Sequence, residues 1–101
     1  MDRIIKDLFT GFMRIHILHH ASKGEIYGAW MMGELRRHGY SVSPGTLYPV
    51  LNSLEKKGYL DSRRDVVDGR ARKYYRTTGG GKKVLDDARE KIRELNEEVF
   101  A

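Results

Sequence analysis

The sequence contains no cysteine, only two prolines and no apolar run long enough to cross a bilayer. The absence of cysteine excludes disulfides and thiolate chemistry, so a reducing compartment is acceptable. A membrane-spanning helix needs about 20 consecutive apolar residues, and the N-terminal residues lack the pattern of a secretory signal. We therefore expect a cytoplasmic protein with no membrane partner. At 101 residues, the chain predicts one modest core whose apolar surface a second copy would complete.

The positive charge is concentrated in the middle of the chain. The net charge is +5, and residues 41–78 carry eight Lys or Arg against four Asp or Glu, whereas residues 79–101 carry five against six. A localised basic segment is what binding to phosphates requires. The alternative is a basic protein without a polyanionic partner, which the net charge alone does not exclude.

The most informative stretch of the sequence runs from Ser41 to Tyr59. Ser43 and Pro44 are typical of a helix start, and Gly58 is typical of a helix end. Between them, leucines recur at helical spacing, and the opposite face is small or polar. That face carries Gly45, Thr46, Pro49, Asn52, Ser53 and Lys56. Such a helix suits the major groove of DNA, although an ordinary amphipathic surface helix has the same pattern.

Two further helices are predicted before this stretch. Residues 3–20 carry an apolar stripe too wide for a single contact, so this helix is expected to face both its own core and another surface. Residues 27–38 form the second helix, which the turn 39–42 joins to the next one. Two helices joined by a short turn containing glycine make a helix-turn-helix candidate. Trp30 falls off the inner face, and its role stays open between packing and contact with a partner.

Three histidines of the first helix, His16, His19 and His20, are spaced closely enough to share a metal ion. A metal site also needs further ligands at defined positions, and the sequence shows none. We therefore expect partly buried or surface histidines, with no metal and no cofactor.

The hydrophobic period changes after the third helix. Residues 59–66 and 71–78 are rich in β-branched and aromatic residues, and Asp68-Gly69 between them is a strong hairpin signal. The tip and second strand are basic through Arg70, Arg72 and Lys73. A basic hairpin that directly follows a helix-turn-helix is a wing, although arginines that merely keep a hairpin soluble would look the same.

A last helix is predicted over residues 79–100, with Thr78 as its cap. Its apolar residues form a heptad seam of Leu85, Ala88, Ile92, Leu95 and Val99. A seam this regular on a terminal helix favours a helix–helix interface. Three glycines occupy the first turn, and each costs about 1 kcal/mol of helix propensity relative to alanine, which predicts a frayed or bent start.

Together these residues resemble the PadR transcriptional regulators. The resemblance covers about residues 5–100 and is carried by the Tyr-Gly of residues 27–28, the Gly-Thr-Leu-Tyr-Pro within residues 42–49 and the Arg-Lys-Tyr-Tyr within residues 70–75. It implies an α+β, mostly helical, winged helix-turn-helix whose first and last helices build a homodimer. It also implies a repressor that leaves its operator when a small aromatic effector is sensed. The chain departs from relatives that trap flat drugs with a terminal-helix tryptophan, because Trp30 is its last tryptophan.

These expectations divide the chain at residue 78. Residues 1–78 are the winged helix-turn-helix domain, and residues 79–101 are the dimerisation helix. Dimer contacts and a pocket for an aromatic effector are expected at Ile5, Leu8, Phe9, Phe12, Met13, Leu85, Ala88, Ile92, Leu95, Val99 and Phe100. Contacts to double-stranded DNA, in a pseudo-palindromic operator, are expected at Ser43, Gly45, Thr46, Tyr48, Pro49, Asn52, Ser53, Lys56, Lys57, Arg70, Arg72 and Lys73.

Two other classes of function are compatible with a small basic domain: a protein-binding module and an enzyme. A winged helix can be a protein–protein interaction module with an incidental basic patch, and binding to duplex DNA discriminates the two. An enzyme requires a nucleophile–base pair, a metal set or a phosphate loop, and the sequence shows none of these. We therefore expect no enzymatic activity.

Overall fold

The computed structural model describes residues 2–101, which form four helices and three strands. In chain order, the elements are α1 (Arg3–Lys23), β1 (Ile26–Tyr27), α2 (Gly28–Arg37), α3 (Pro44–Lys56), β2 (Leu60–Val67), β3 (Arg70–Thr77) and α4 (Gly79–Val99). The expected α+β, mostly helical, winged helix-turn-helix is confirmed. Several helix boundaries differ from the prediction: α1 continues past residue 20, residues 26–27 form a short strand before α2, and α2 and α4 each end one residue earlier than expected.

The three strands form one antiparallel sheet in the order β1-β3-β2. Ile26 of β1 pairs with Tyr75, and the β2–β3 hairpin runs in register to its last pair, Val67 and Arg70. The turn between them is Asp68-Gly69, and both residues have positive φ, 52° and 77°. Positive φ at both central residues is the signature of the type I′ turn, whose twist matches that of the strands. The predicted hairpin is confirmed, with each strand displaced by one residue.

The core lies where α1, α2 and α3 meet the inner face of the sheet. Its largest fully buried side chains are Ile17, Met31, Leu35, Leu47, Leu51, Leu60 and Leu85. The buried hydroxyl of Thr77 donates a hydrogen bond of 2.8 Å to the carbonyl of Leu18, which ties the sheet to α1. Burial of the leucines of α3 fixes the orientation of that helix, so its opposite face must point outward.

The sequence predicts a frayed or bent start for the last helix, and the structure shows α4 helical from its first residue, Gly79. The Thr78 hydroxyl accepts a hydrogen bond of 3.0 Å from the amide of Gly81 and so caps the helix. Gly81 is buried, and a β-carbon there would collide with the carbonyl oxygen of Tyr59 and lie 2.7 Å from Thr77 Cγ2. The glycine is therefore required by close packing, which offsets its low helix propensity.

Candidate nucleic-acid interface

Helix α3 presents a polar outer face. Leu47, Leu51 and Leu54 are buried, which anchors the helix to the core. On the other side, Gly45, Thr46, Pro49, Asn52 and Lys56 are exposed and Ser53 is half-buried. Ser43 occupies the N-cap position, but its hydroxyl lies 3.3 Å from Thr46 Oγ1 and does not cap the helix amides. The predicted base-reading residues therefore share one accessible surface of α3.

Tyr48 lies on the flank of α3, next to the first residue of α2. Its side chain is 43% exposed. A β-carbon built on Gly28 would lie 2.6 Å from both the Tyr48 hydroxyl oxygen and its Cε1 atom. The absence of a side chain at Gly28 is thus what allows the ring to pack there. The sequence pattern at residues 27–28 gives no sign of this contact, because Gly28 and Tyr48 belong to helices that meet only in the folded chain.

One cleft joins α3 to the wing, which we define as the β2–β3 hairpin. Its volume is about 430 Å³, and its lining comprises Tyr27, Gly28, Ala29, Tyr48, Arg70, Ala71, Arg72, Lys73 and Tyr75. Residues predicted separately from the helix and from the hairpin are therefore brought together around a single concave surface. Such a surface, with a phenol hydroxyl on one wall and cations on the other, is suited to a phosphate backbone.

The two arginines of this cleft are not neutralised by a carboxylate among residues 2–101. Arg72 stacks its guanidinium over the ring of Tyr27 at 4.1 Å from the centroid, a cation–π contact that orients the side chain. Within residues 2–101, no carboxylate lies within 4.0 Å of Arg70 or Arg72. The same holds for the exposed Lys56 and Lys57 among the described residues. These four cations can bind phosphate without first breaking an ion pair.

Lys73 differs from its neighbours because it is already paired. Its Nζ lies 2.9 Å from Glu55 Oε1 and 5.2 Å from the centroid of the Tyr75 ring. The hydroxyl of Ser62 donates to the other oxygen of the same carboxylate. The pKa of Glu55 is lowered most by the hydrogen bond from Ser62 and next by the one from Lys73. A phosphate at Lys73 would have to compete with Glu55, a partner 18 residues away that spacing did not reveal.

Arg63 on β2 is also neutralised within the chain. Its Nε and Nη2 atoms donate to the two oxygens of Glu25 at 2.6 and 2.9 Å, and Nη1 lies 3.3 Å from Asp65. The hydrogen bond from Arg63 lowers the pKa of Glu25. This bidentate pair fastens the segment before β1 to the hairpin. The charge of Arg63 is therefore used in an ion pair that stabilises the fold.

The residues expected to form the dimer contact fall into two groups. Met13 and Leu85 are buried in the core, with 4% and 2% of their surface exposed, and Ala88 is half-buried. The others form what we call the apolar face, which carries Ile5, Leu8, Phe9 and Phe12 on α1 and Ile92, Leu95, Val99 and Phe100 at the end of the chain. A cleft of about 240 Å³ between the two helices is lined by Phe12, Ile15, His16, His19, Leu85, Arg89 and Ile92.

A second cleft connects α1 to the start of α3. It measures about 360 Å³ and is lined by Lys6, Phe9, Thr10, Met13, Gly39, Tyr40, Ser41, Val42 and Thr46. The rings of Phe9 and Tyr40 meet edge to face there, with centroids 5.3 Å apart. The cleft thus joins Phe9 and Met13, expected at an effector pocket, with Thr46, expected at DNA. Tyr40 is its aromatic wall and was not singled out from the sequence.

The structure regroups the histidines. His16, His20 and His38 come together, and their ligand nitrogens all lie within 4.8 Å of one another. His19 is outside this group: its Nδ1 lies 3.2 Å from the guanidinium of Arg89, and its ring meets that of His20 edge to face at 5.0 Å. The pKa of His16 is lowered, mainly by burial and secondly by the neighbouring His38. His38 follows α2, so no spacing rule along α1 predicts that it approaches His16 and His20.

A helix-turn-helix followed by an antiparallel wing defines the winged helix-turn-helix class of DNA-binding proteins. No helix within residues 2–101 combines the length and the apolar character that a membrane span requires. The model of the PadR-like family of transcriptional regulators matches residues 17–87. The chain therefore belongs to the PadR-like family of transcriptional regulators, which bind DNA and are not enzymes.

Individual relatives agree with this assignment. The chain is 55% identical to transcriptional regulator Rv3488 of Mycobacterium tuberculosis over 87% of its own length and 82% of the relative's length. A crystal structure of a PadR family transcriptional regulator from Eggerthella lenta superposes with a TM-score of 0.83 at 31% identity, covering 95% of this chain and 85% of that one. A PadR-like transcriptional regulator from Bacillus cereus gives a TM-score of 0.83 at 27% identity, covering 92% of both chains.

Proposed function

We propose that the protein is a homodimeric repressor that binds a pseudo-palindromic operator and is released by a small aromatic effector. The observation that carries the DNA-binding mode is the shared cleft, in which Tyr48 of α3 faces the unpaired Arg70 and Arg72 of the wing. A helix seated in a major groove and a wing beside it would then hold the same phosphate backbone from two sides.

Within this mode, the contacts divide by chemistry. The exposed Thr46, Pro49 and Asn52 face base edges and determine the preferred sequence. Ser43, Gly45 and Ser53 flank them and approach neighbouring phosphates. Positive charges and the Tyr48 hydroxyl bind the backbone and supply affinity for any sequence; the cations are Lys56, Lys57, Arg70, Arg72 and Lys73.

The homodimer is supported by the apolar face. Leu95 and Val99 are 58% and 61% exposed, and they continue a heptad seam that is buried within the chain only at Leu85. Contiguous exposed apolar surface of this kind marks an interaction site. A second copy packed along α1 and α4 would cover it and place two α3 helices for half-sites one helical turn apart.

Release by an effector is supported by the cleft between α1 and α3. An aromatic molecule there would contact Phe9 of the proposed dimer helix, Tyr40 of the turn and Thr46 of the recognition helix. Because these three side chains belong to different elements, occupancy would change how α3 sits relative to α1. A ligand that binds one arrangement better than the other shifts the protein toward it.

Operator selection tests the proposal directly. The purified protein is used to enrich binding sequences from random duplexes, and the enriched site is titrated at about 50 mM salt, where phosphate contacts are strongest. We expect a pseudo-palindromic site, and we expect that Asn52→Ala alters the preferred bases while Arg70→Ala weakens every sequence alike. Absence of binding to any duplex at this salt would contradict the proposal and favour a winged-helix module for protein partners.

A fluorescent planar aromatic tests the release step. We expect it to bind the dimer and to displace the selected operator, and we expect Tyr40→Ala to lose the binding while Tyr59→Ala, outside the cleft, keeps it. Binding that is equal in both variants, or that leaves the operator bound, contradicts the effector proposal. Repression is checked separately with a reporter gene placed behind the selected operator, whose transcription should fall when the protein is present.

A further inference from the structure

We infer that His16, His20 and His38, with Glu34 as a fourth ligand, form a binding site for a divalent transition-metal ion of the zinc class. The observation that carries this inference is the convergence of three imidazoles from two elements that are separate in the sequence. Neutral imidazole is a preferred ligand of zinc, copper and nickel, whereas magnesium and calcium prefer oxygen.

The three rings are arranged so that small rotations bring their nitrogens to one ion. His16 and His20 lie one turn apart on α1, with rings parallel within 9° and centroids 6.2 Å apart, and the ring of His38 is 4.8 Å from that of His16. Tetrahedral zinc at about 2.0–2.1 Å from each nitrogen requires nitrogens about 3.4 Å apart. The present separations of up to 4.8 Å approach this distance. His38 is exposed, so an ion reaches the site from solvent.

Glu34 lies beside two of the three histidines and is the proposed fourth ligand. Its Oε1 atom lies 3.3 Å from Nε2 of His38 and 3.9 Å from Nε2 of His20. Three histidines and one carboxylate make a four-coordinate set of nitrogen and oxygen donors typical of zinc. Arg37 now forms an ion pair with the same Oε1, so a bound ion would displace its guanidinium or share the carboxylate with it.

The site would connect two parts of the protein with different roles. Two ligands belong to α1, and the other two belong to α2 and to the residue that follows it, just before the turn into α3. A bound ion would therefore hold the first helix of the helix-turn-helix against α1. Any effect of the ion on operator affinity rests on the proposed function, whereas the existence of the site does not.

The competing explanation is an aromatic cluster without a ligand. His20 meets the edge of Trp30 at 5.4 Å and His16 meets Tyr40 at 5.4 Å, so the imidazoles also belong to a packed aromatic group. Packing alone demands flat rings and no particular nitrogen. Metal binding requires the ring nitrogens and the carboxylate. Variants that remove these atoms therefore distinguish a metal site from an aromatic cluster.

The test is an equilibrium titration of the full chain, prepared without a histidine tag, using zinc against a chromophoric chelator and cobalt(II) as a spectroscopic probe. We expect one equivalent of zinc per chain and the intense visible absorption of tetrahedral cobalt. Loss of an outer partner of a metal ligand costs about 10- to 100-fold in affinity, so loss of a direct ligand, in His38→Ala or in Glu34→Gln, should weaken zinc binding by at least about 100-fold. His19→Ala is the matched control, because His19 lies outside the three-histidine group and contacts Arg89, and it should bind zinc within a few-fold of the wild type. Its ring also meets the edge of His20, with centroids 5.0 Å apart, so the control reports how much that packing contact contributes.

The outcomes separate the two explanations. Equal zinc affinity in His38→Ala and His19→Ala, or the weak absorption of octahedral cobalt, overturns the site. His38 is exposed, so its variant is expected to fold, and an unchanged melting temperature of the metal-free protein verifies this. Because the titration contains no DNA, a failure of operator binding would overturn the proposed function without affecting the result for the metal site.

Discussion

The ring of Tyr48 packs directly against Gly28, so closely that a β-carbon on the glycine would lie 2.6 Å from the phenol oxygen. The first residue of α2 thereby determines where α3 holds its only tyrosine side chain. Tyr48 also lines the cleft shared with the arginines of the wing. The Tyr-Gly pair of residues 27–28 is therefore linked to both walls of this cleft, since Tyr27 stacks with Arg72.

Gly28→Ala should displace the side chain of Tyr48 and leave the stability of the fold nearly unchanged. The colliding atoms are the far end of a flexible side chain, and alanine is a better helix former than glycine, so we expect a stability change within about 0.5 kcal/mol. Operator affinity should fall about tenfold or more, because a hydrogen bond to a charged group is worth about 1.5–3 kcal/mol.

The matched control for this change is Gly33→Ala on the same helix, where a β-carbon meets nothing within 4 Å. Fluorescence anisotropy with the selected operator and a thermal melt measure both quantities. Equal operator affinity in the two variants would show that the position of Tyr48 does not matter for DNA binding.

Gly81→Ala should destabilise the protein, in contrast to Gly28→Ala. Here the collision is with the backbone carbonyl of Tyr59, which cannot rotate away, and with Thr77 Cγ2. Overpacking of this kind costs about 1–3 kcal/mol. Gly79→Ala, in the same helical turn and with nothing within 4 Å, should instead stabilise by up to about 1 kcal/mol. Urea unfolding of both variants checks the opposite signs.

The sequence predicted what local patterns determine. Pro44 and Gly58 delimit α3, Asp68-Gly69 requires a two-residue turn, and Thr78 caps α4, because each feature depends on residues a few positions apart. The apolar spacing of α3 also predicted which face is exposed. These features were sufficient for the fold and for the positions of α3 and the wing.

Relationships across the fold were beyond the reach of sequence reasoning. Strand β1 has only two residues and exists because β3 offers it a partner, so no period of its own could indicate it. Gly81 was interpreted through helix propensity, whereas tertiary packing decides its role. The pairing of Lys73 with Glu55 and the approach of His38 to α1 likewise join segments whose proximity only the folded chain creates.

Leu95→Glu should convert the proposed dimer into a monomer. The side chain is 58% exposed on the seam of α4, so the charge costs the folded monomer little, but it would be buried without a partner in the dimer. Sedimentation velocity at several concentrations measures the change. Val66→Glu is the control, because Val66 is 68% exposed on the wing and lies outside the apolar face. A wild-type protein that sediments as a monomer at all concentrations rejects the dimer.

Glu55→Gln should change both the pH dependence of stability and the role of Lys73. The pKa of Glu55 is lowered in the folded state, so the folded protein binds fewer protons there than the unfolded chain does. Its stabilising contribution is therefore present above the ordinary value of 4.5 and is lost as the pH falls through the lowered pKa. The stability difference between wild type and Glu55→Gln should be clear at neutral pH and vanish in acid.

The same Glu55→Gln variant should bind DNA more tightly at low salt, because Lys73 is then released from its carboxylate partner. A stability difference that persists unchanged in acid would contradict the assigned role of the carboxylate. An unchanged operator affinity would instead indicate that Lys73 does not contact phosphate.

The central claim is that the wing and α3 bind DNA together, and the salt dependence of operator affinity in Arg72→Ala tests it most directly. The control is Arg63→Ala, which removes a wing cation that Glu25 already neutralises. We expect Arg72→Ala to weaken binding to all sequences and to lower the slope of log affinity against log salt by about one. Arg63→Ala should leave that slope unchanged, and a wild-type slope in Arg72→Ala would contradict the account.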